Sequence, residues 1–267
     1  MDKAKAFIRR DFLFQWSYKF GFIYQLGYLV SSIVTLFFVG RMIGTTPPKA
    51  IAAYHTDYFT FALIGMAFLD YMWVSMRTFS QQIRMAQFMG TLEAMLVTPT
   101  HPFAIILYSA AYTYVWTTLR SVIYLVLGVT VFGASLGNVN VASMILFVGL
   151  IVLTFSGIGL ASAAVTLYLK QADPLTALLG GVSFLFAGIV YPVQSLPPIL
   201  QKVAWALPMT HAVEGLRQAL LMGRTPLELA SHAAVLAAWG LIAFPMAFLL
   251  LRHVLKLLSK EGSFGAY

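Results

Sequence analysis

Residues 121–169 run for 49 positions without a charged side chain. A helix needs only about 20 apolar residues to cross a bilayer. The run is broken only by the turn-like stretch GASLGNVN at 133–140, so it reads as two membrane-spanning helices joined by a tight connection. In lipid every backbone N–H and C=O must find its partner inside a helix or a closed barrel. The alternating ten-residue strands of a barrel are absent from this sequence. Composition agrees with an integral membrane protein: 60% of the 267 residues are apolar, 10% are charged and mean hydropathy is +0.83.

Comparable segments lie at 20–40, 58–76, 104–132, 141–169, 175–191 and 232–251, which predicts an all-α protein with six transmembrane helices. The expected organisation is a single transmembrane domain over 1–267. It comprises an interfacial N-terminal segment (1–19), spans one and two (20–76) and a cytoplasmic segment (77–100). Spans three to five (104–191) follow, then an extracytoplasmic re-entrant hairpin with an amphipathic helix (192–230), span six (231–252) and a cytoplasmic tail (253–267).

The formal charge of +8 does not point to nucleic acid, because the basic residues sit at the ends of spans. With both termini inside, cytoplasmic segments hold eleven of them: Lys3, Lys5, Arg9, Arg10, Lys19, Arg77, Arg84, Lys170, Arg252, Lys256 and Lys260. The outside segments hold five: Arg41, Lys49, Lys202, Arg217 and Arg224. That bias orients the chain. The first apolar run is too long for a signal sequence and lacks a small-x-small cleavage site, so it reads as an uncleaved helix. With no cysteine, disulfides and thiolate metal sites are excluded.

Within the N-terminal segment, Phe7, Phe12, Phe14 and Trp16 alternate with basic residues, as at a membrane interface. Residues 77–102 project as an amphipathic helix, with Arg77, Ser80, Gln81, Arg84, Gln87 and Thr91 on its polar face. Glu93 falls on the apolar side, where a carboxylate needs a partner. Such a helix either lies on the membrane or docks a cytoplasmic protein. Asp70 and Arg120 are charges inside predicted spans, and each needs a partner, water or a route to the interface. Whether they face one another is left open by the sequence.

The stretch GGVSFLFAGIVYPVQSLPPILQKVAWALPMTH at 180–211 stops an apolar helix at Tyr191-Pro192 and then confines a short apolar piece between Pro197-Pro198 and Pro208. That piece is too short to cross and too apolar for water, so it predicts a helix re-entering the outer leaflet. The residues after Pro208 are amphipathic, with Thr210, Glu214 and Arg217 on the polar side. Tyr24 and Tyr28 in span one, and Phe184, Phe186 and Tyr191 late in span five, either line a pathway or pack in the core.

No G-x-x-x-x-G-K-[ST] phosphate loop and no G-x-S-x-G elbow occurs in the sequence. The histidines, His55, His101, His211, His232 and His253, are scattered. His211 and Glu214 have a metal-ligand spacing but lack a second ligand pair, which favours a polar pair. Ion-coupled carriers need titratable midplane groups and paired broken helices. One broken region is present, without a matching half, so a carrier or channel is the reading from a different class.

The segments GTLEAMLVTPT (90–100) and AGIVYPVQSLPPILQKVAWALPMTHAVEGLRQALLMG (187–223) resemble the permease subunits of ABC-2 type ATP-binding-cassette exporters, over essentially the whole chain. The resemblance implies a half-transporter that pairs with itself or a sister subunit and with two copies of a separate ATPase. It is no enzyme and holds no cofactor; the ATPase uses ATP and Mg. ATPase coupling would fall on Arg84, Gln87, Gly90, Thr91, Leu92 and Glu93. The extracytoplasmic gate would comprise Tyr191, Pro192, Leu196, Pro197, Leu207, Pro208 and Arg217. Tyr24, Tyr28, Phe184 and Phe186 are the expected pathway residues. The expected setting is the bacterial inner membrane, in contact with lipid, with both termini cytoplasmic. The expected cargo is a hydrophobic or amphipathic small molecule, or alternatively a lipid-linked polysaccharide.

Overall fold

The computed structural model describes residues 19–44, 49–88, 102–169 and 173–261. Nine α-helices and no strand occur among them: α1 Lys19–Ile43, α2 Lys49–Ala52, α3 Tyr58–Phe88, α4 Pro102–Thr130, α5 Val141–Leu169, α6 Pro174–Phe186, α7 Pro198–Ala206, α8 Pro208–Leu221 and α9 Ala230–Glu261. The interfacial segment expected at 1–19 and the GTLE motif lie outside the described residues, apart from Lys19.

Four helices are long and apolar enough to cross a membrane, through Ile23–Ile43, Tyr58–Gln82, Val141–Leu169 and Ala230–Leu257. The chain is therefore a multi-pass membrane protein, helical in its regular structure among the described residues. Two expected spans differ. Helix α4 has the length, 29 residues, and carries Arg120 with several threonines and tyrosines, and it is not among these four. Helix α6 has only 13 residues and stops at Phe186, short of the expected end at Tyr191. The stop has a local cause, because Gly188 takes a left-handed φ of 72° and turns the chain. Span two runs on without a break through 77–88, so this part of the expected connecting helix continues α3.

Helix α3 forms the centre, packed against α4, α5 and α1, while α9 lies along α5. Phe61, Leu63, Ile64 and Met72 of α3 meet Phe147, Ile151 and Phe155 of α5 and Leu216 of α8 in the main core. A second cluster joins Phe79 to Ala163, Ala164 and Leu167 of α5 and Ala247 and Leu251 of α9. The alanines let these helices approach closely, which is how helices associate when lipid offers no hydrophobic drive.

Side-chain caps and prolines set the helix starts. Asp57 caps α3 through the Thr60 amide (3.2 Å), Asn140 caps α5 through Ser143 (3.0 Å) and Asp173 caps α6 through Thr176 (3.0 Å). Pro174, Pro198 and Pro208 each occupy the first turn of the helix they begin, where no amide hydrogen is needed. The prolines that end one helix thus begin the next, and Pro192 leads into a single 3-10 turn at Val193–Ser195.

Candidate functional site: polar stations along the central helix

Three polar stations are spaced along α3. At its start, the Arg217 guanidinium of α8 donates from Nη1 to the Gly188 carbonyl at 2.6 Å, from Nη2 to the Ile189 carbonyl, and from Nε to the Phe61 carbonyl at 3.2 Å. It also lies over the Phe61 ring, 3.5 Å from the centroid. The side chain is fully enclosed; burial pulls its pKa down to about 10, opposed by Glu214, Tyr54 and Tyr58, so it stays cationic at neutral pH. Gly65 makes the room: a Cβ there would come within 2.3 Å of the Ile189 oxygen and 2.7 Å of the guanidinium. The carbonyls that the end of α6 and the following turn leave open are thereby satisfied by an arginine from another helix.

Around this clamp, the Tyr54 hydroxyl donates to Glu214 at 2.7 Å, the Gln218 amide donates to the same carboxylate, and Arg224 donates to Gln218 at 2.7 Å. Burial, then the Glu214 charge, pushes the Tyr54 phenol above the ordinary tyrosine range and keeps it a donor. His211 pairs with His232, Nδ1 to Nδ1 at 2.9 Å, and its Nε2 lies 2.8 Å from the Trp205 carbonyl. A carbonyl only accepts, so Nε2 carries the hydrogen, and in the neutral pair His232 donates to His211. The expected His211–Glu214 partnership is thus replaced by two separate ones. No group of three or more potential metal ligands occurs among the described residues.

Midway along α3, Asp70 and Arg120 of α4 form an ion pair at 2.8 Å. The Arg120 Nε is buried without a hydrogen-bond partner. Nearby, Ser121 donates to the Ala67 carbonyl at 2.9 Å and Tyr114 meets Ser156 of α5 at 2.6 Å.

The third station is Asp173. Its Oδ2 accepts from Ser80 of α3 at 2.7 Å, and its Oδ1 accepts from Ser162 of α5 and from the Thr176 amide. Burial raises the carboxyl's pKa, but these hydrogen bonds outweigh it and hold the group below the usual carboxylate range.

Of the expected gate residues, Pro192, Pro208 and Arg217 are buried, Tyr191, Leu196 and Leu207 are half-buried and Pro197 is exposed. Arg217, expected on a polar outer face, is instead fully buried, the largest such side chain among the described residues. A helical projection shows which face a charge occupies, not whether that face meets water. Tyr24 and Tyr28 are 71% and 68% exposed and Phe184 is 38% exposed, whereas Phe186 is half-buried. The first three therefore lie on this chain's surface. Arg84 is exposed on α3. Gln87 belongs to the same helix, while Gly90, Thr91, Leu92 and Glu93 lie outside the described residues. Ser80, assigned to the polar face with Arg84, is buried against Asp173.

Sequence reasoning did not single out Asp173, Tyr54 or the histidine pair. Asp173-Pro174 followed by Thr176 is a legible helix-start signal, an acidic cap with proline in the first turn. Tyr54 and His232 reach their partners across 160 and 21 residues, and no local pattern announces them.

The family model described as ABC-2 type transporter matches residues 3–221. Nodulation protein J of Rhizobium leguminosarum bv. trifolii is 24% identical over 236 residues, covering 85% of this chain and 85% of that protein.

Proposed function

This chain belongs to the ABC-2 type transporter family, and from that premise we propose that it is the permease subunit of an ATP-driven exporter. It carries a hydrophobic or amphipathic small molecule out of the cytoplasm or inner leaflet. The family match across 3–221 carries the reading. Families of this kind work with an ABC ATPase, and these 267 residues hold no phosphate loop, which fits energy supplied by a separate subunit.

In this reading the helices run as six passes, with α4 the third and the short α6 the fifth. The termini are cytoplasmic, the membrane is a bacterial inner membrane, and the subunit acts as a pair. Arg84, Gln87 and the GTLE residues receive the ATPase stroke. The segment from Pro192 to Pro208 is the re-entrant outer gate, held by Arg217. Exposed Tyr24, Tyr28 and Phe184 offer ring faces to cargo. A lipid-linked saccharide is the second reading, favoured by those exposed rings, since sugars stack on aromatic faces. The name of the relative, a nodulation protein, is a property of that protein alone.

The test is capture of the tagged chain from its native membrane in detergent, with mass spectrometry and an ATPase assay of what is retained. An ABC ATPase that is lost when residues 84–96 are altered supports the exporter. Recovery of the chain without any ATPase overturns it in favour of a channel or ion-coupled carrier.

A further inference from the structure

We propose that Asp173 is a positioning residue for transport. It fastens the start of α6 to the cytoplasmic continuation of α3, so that a push on residues 77–100 is carried along α6 to the outer hairpin. The inference rests on the exporter reading and adds to it a route through the membrane.

An ordinary cap needs only the Thr176 amide, which Asp173 Oδ1 already accepts at 3.0 Å. The other oxygen, Oδ2, is given to Ser80 of α3 at 2.7 Å. That hydroxyl also lies 3.0 Å from the Arg77 carbonyl, and the shorter contact is to the charged acceptor. Ser80 is one helical turn before Arg84, on the stretch that leads into the coupling motif. Helix α6 is therefore hydrogen-bonded to α3 at its first turn and gripped through Gly188 and Ile189 at its far end by Arg217. Between those ends it packs on α3, α5, α7 and α8. Apolar contacts of that kind are non-directional and allow sliding. A stiff helix of 13 residues, about 20 Å long, fixed at both ends by directional bonds, transmits displacement along its axis. Because Ser80 has its own carboxylate oxygen, this bond is removable without disturbing the cap, leaving at that end only the longer 3.4 Å contact of the Thr176 hydroxyl with the Met76 carbonyl of α3.

The chain has no cysteine, so a single Ile199→Cys on the exposed start of α7 reports the outer hairpin alone. In the complex with its ATPase, maleimide labelling of that position is compared with and without ATP plus vanadate. The expected result is a several-fold change in labelling rate in the parent, lost with Ser80→Ala and restored with Ser80→Thr, while basal ATP hydrolysis persists in all three. Should Ser80→Ala prevent assembly, Ser80→Gly serves instead, since it too removes the hydroxyl and leaves the carboxylate cap of α6 in place. An unaltered labelling response in the variant, or no response in the parent, overturns the inference and leaves the exporter reading standing. Absence of any bound ATPase overturns both.

Discussion

Arg217 lies over Phe61, with its guanidinium carbon 3.5 Å from the ring centroid, while its nitrogens hold carbonyls beyond the end of α6. One side chain thereby joins the start of α3 and the later half of α8 to the end of α6. Lysine has neither the fork nor the flat face. Arg217→Ala leaves the Gly188 and Ile189 carbonyls without this donor, at about 1–3 kcal/mol each when unsatisfied. The expectation is a large fall in melting temperature in detergent for Arg217→Ala and a smaller one for Arg217→Lys. A lysine variant as stable as the parent would show that the clamp is not what holds the turn.

The prolines of the hairpin behave differently. Pro198 and Pro208 sit in first turns, where alanine is also accepted, so Pro198→Ala or Pro208→Ala should cost less than about 1 kcal/mol, chiefly through a freer unfolded chain. Thermal melts check this, and a loss as large as that of Arg217→Ala would mean the prolines hold strained backbone.

Asp70 and Arg120 are partly exposed at 38% and 22% of their side chains, which limits what their pair contributes directly. Removing one partner leaves a lone charge at membrane depth. Asp70→Ala and Arg120→Ala should each lower yield and melting temperature more than the double variant does. A double variant as impaired as the sum of the singles would show that the two charges act independently.

The Asp173 carboxyl has a depressed pKa, so its stabilising contribution is present above the unfolded value of about 3.9 and is lost as pH falls through the folded value. Asparagine does not titrate. The melting-temperature gap between the parent and Asp173→Asn should stay level from about pH 8 to 5 and narrow below about pH 4. A gap that closes near neutrality would place the effect on another group.

Tyr54→Phe removes one donor to Glu214 and leaves Gln218 as the described donor to that carboxylate. A loss of about 1–3 kcal/mol is expected from chemical or thermal unfolding, larger than for a neutral pair because the acceptor is charged. No measurable change would mean that water replaces the phenol.

The spans of α1, α3, α5 and α9 were legible because an uncharged run of about 20 residues has few other solutions. The breaks at Pro192, Pro197 and Pro208 were legible for the same kind of reason, a missing amide hydrogen. Where α6 ends was not, since Tyr191-Pro192 was the visible break, whereas the helix stops at Phe186 before the left-handed Gly188, whose carbonyl Arg217 satisfies from a helix nearly 30 residues further on. Ser80 shows the same limit: a serine reads as polar surface until Asp173, 93 residues away, supplies a carboxylate. The pairing of Asp70 with Arg120 was posed as a question by their rarity in lipid, and the packing of α3 on α4 answers it. Local spacing reveals helices and their faces; what a face touches is decided at long range.

The brevity of α6 has an electrical consequence. Its 13 residues cover about 20 Å, against about 30 Å of hydrocarbon in a bilayer. Just beyond its end the enclosed guanidinium of Arg217 sets a fixed positive charge among the packed helices. A cation approaching that point meets a charge of its own sign held in a medium that screens it poorly.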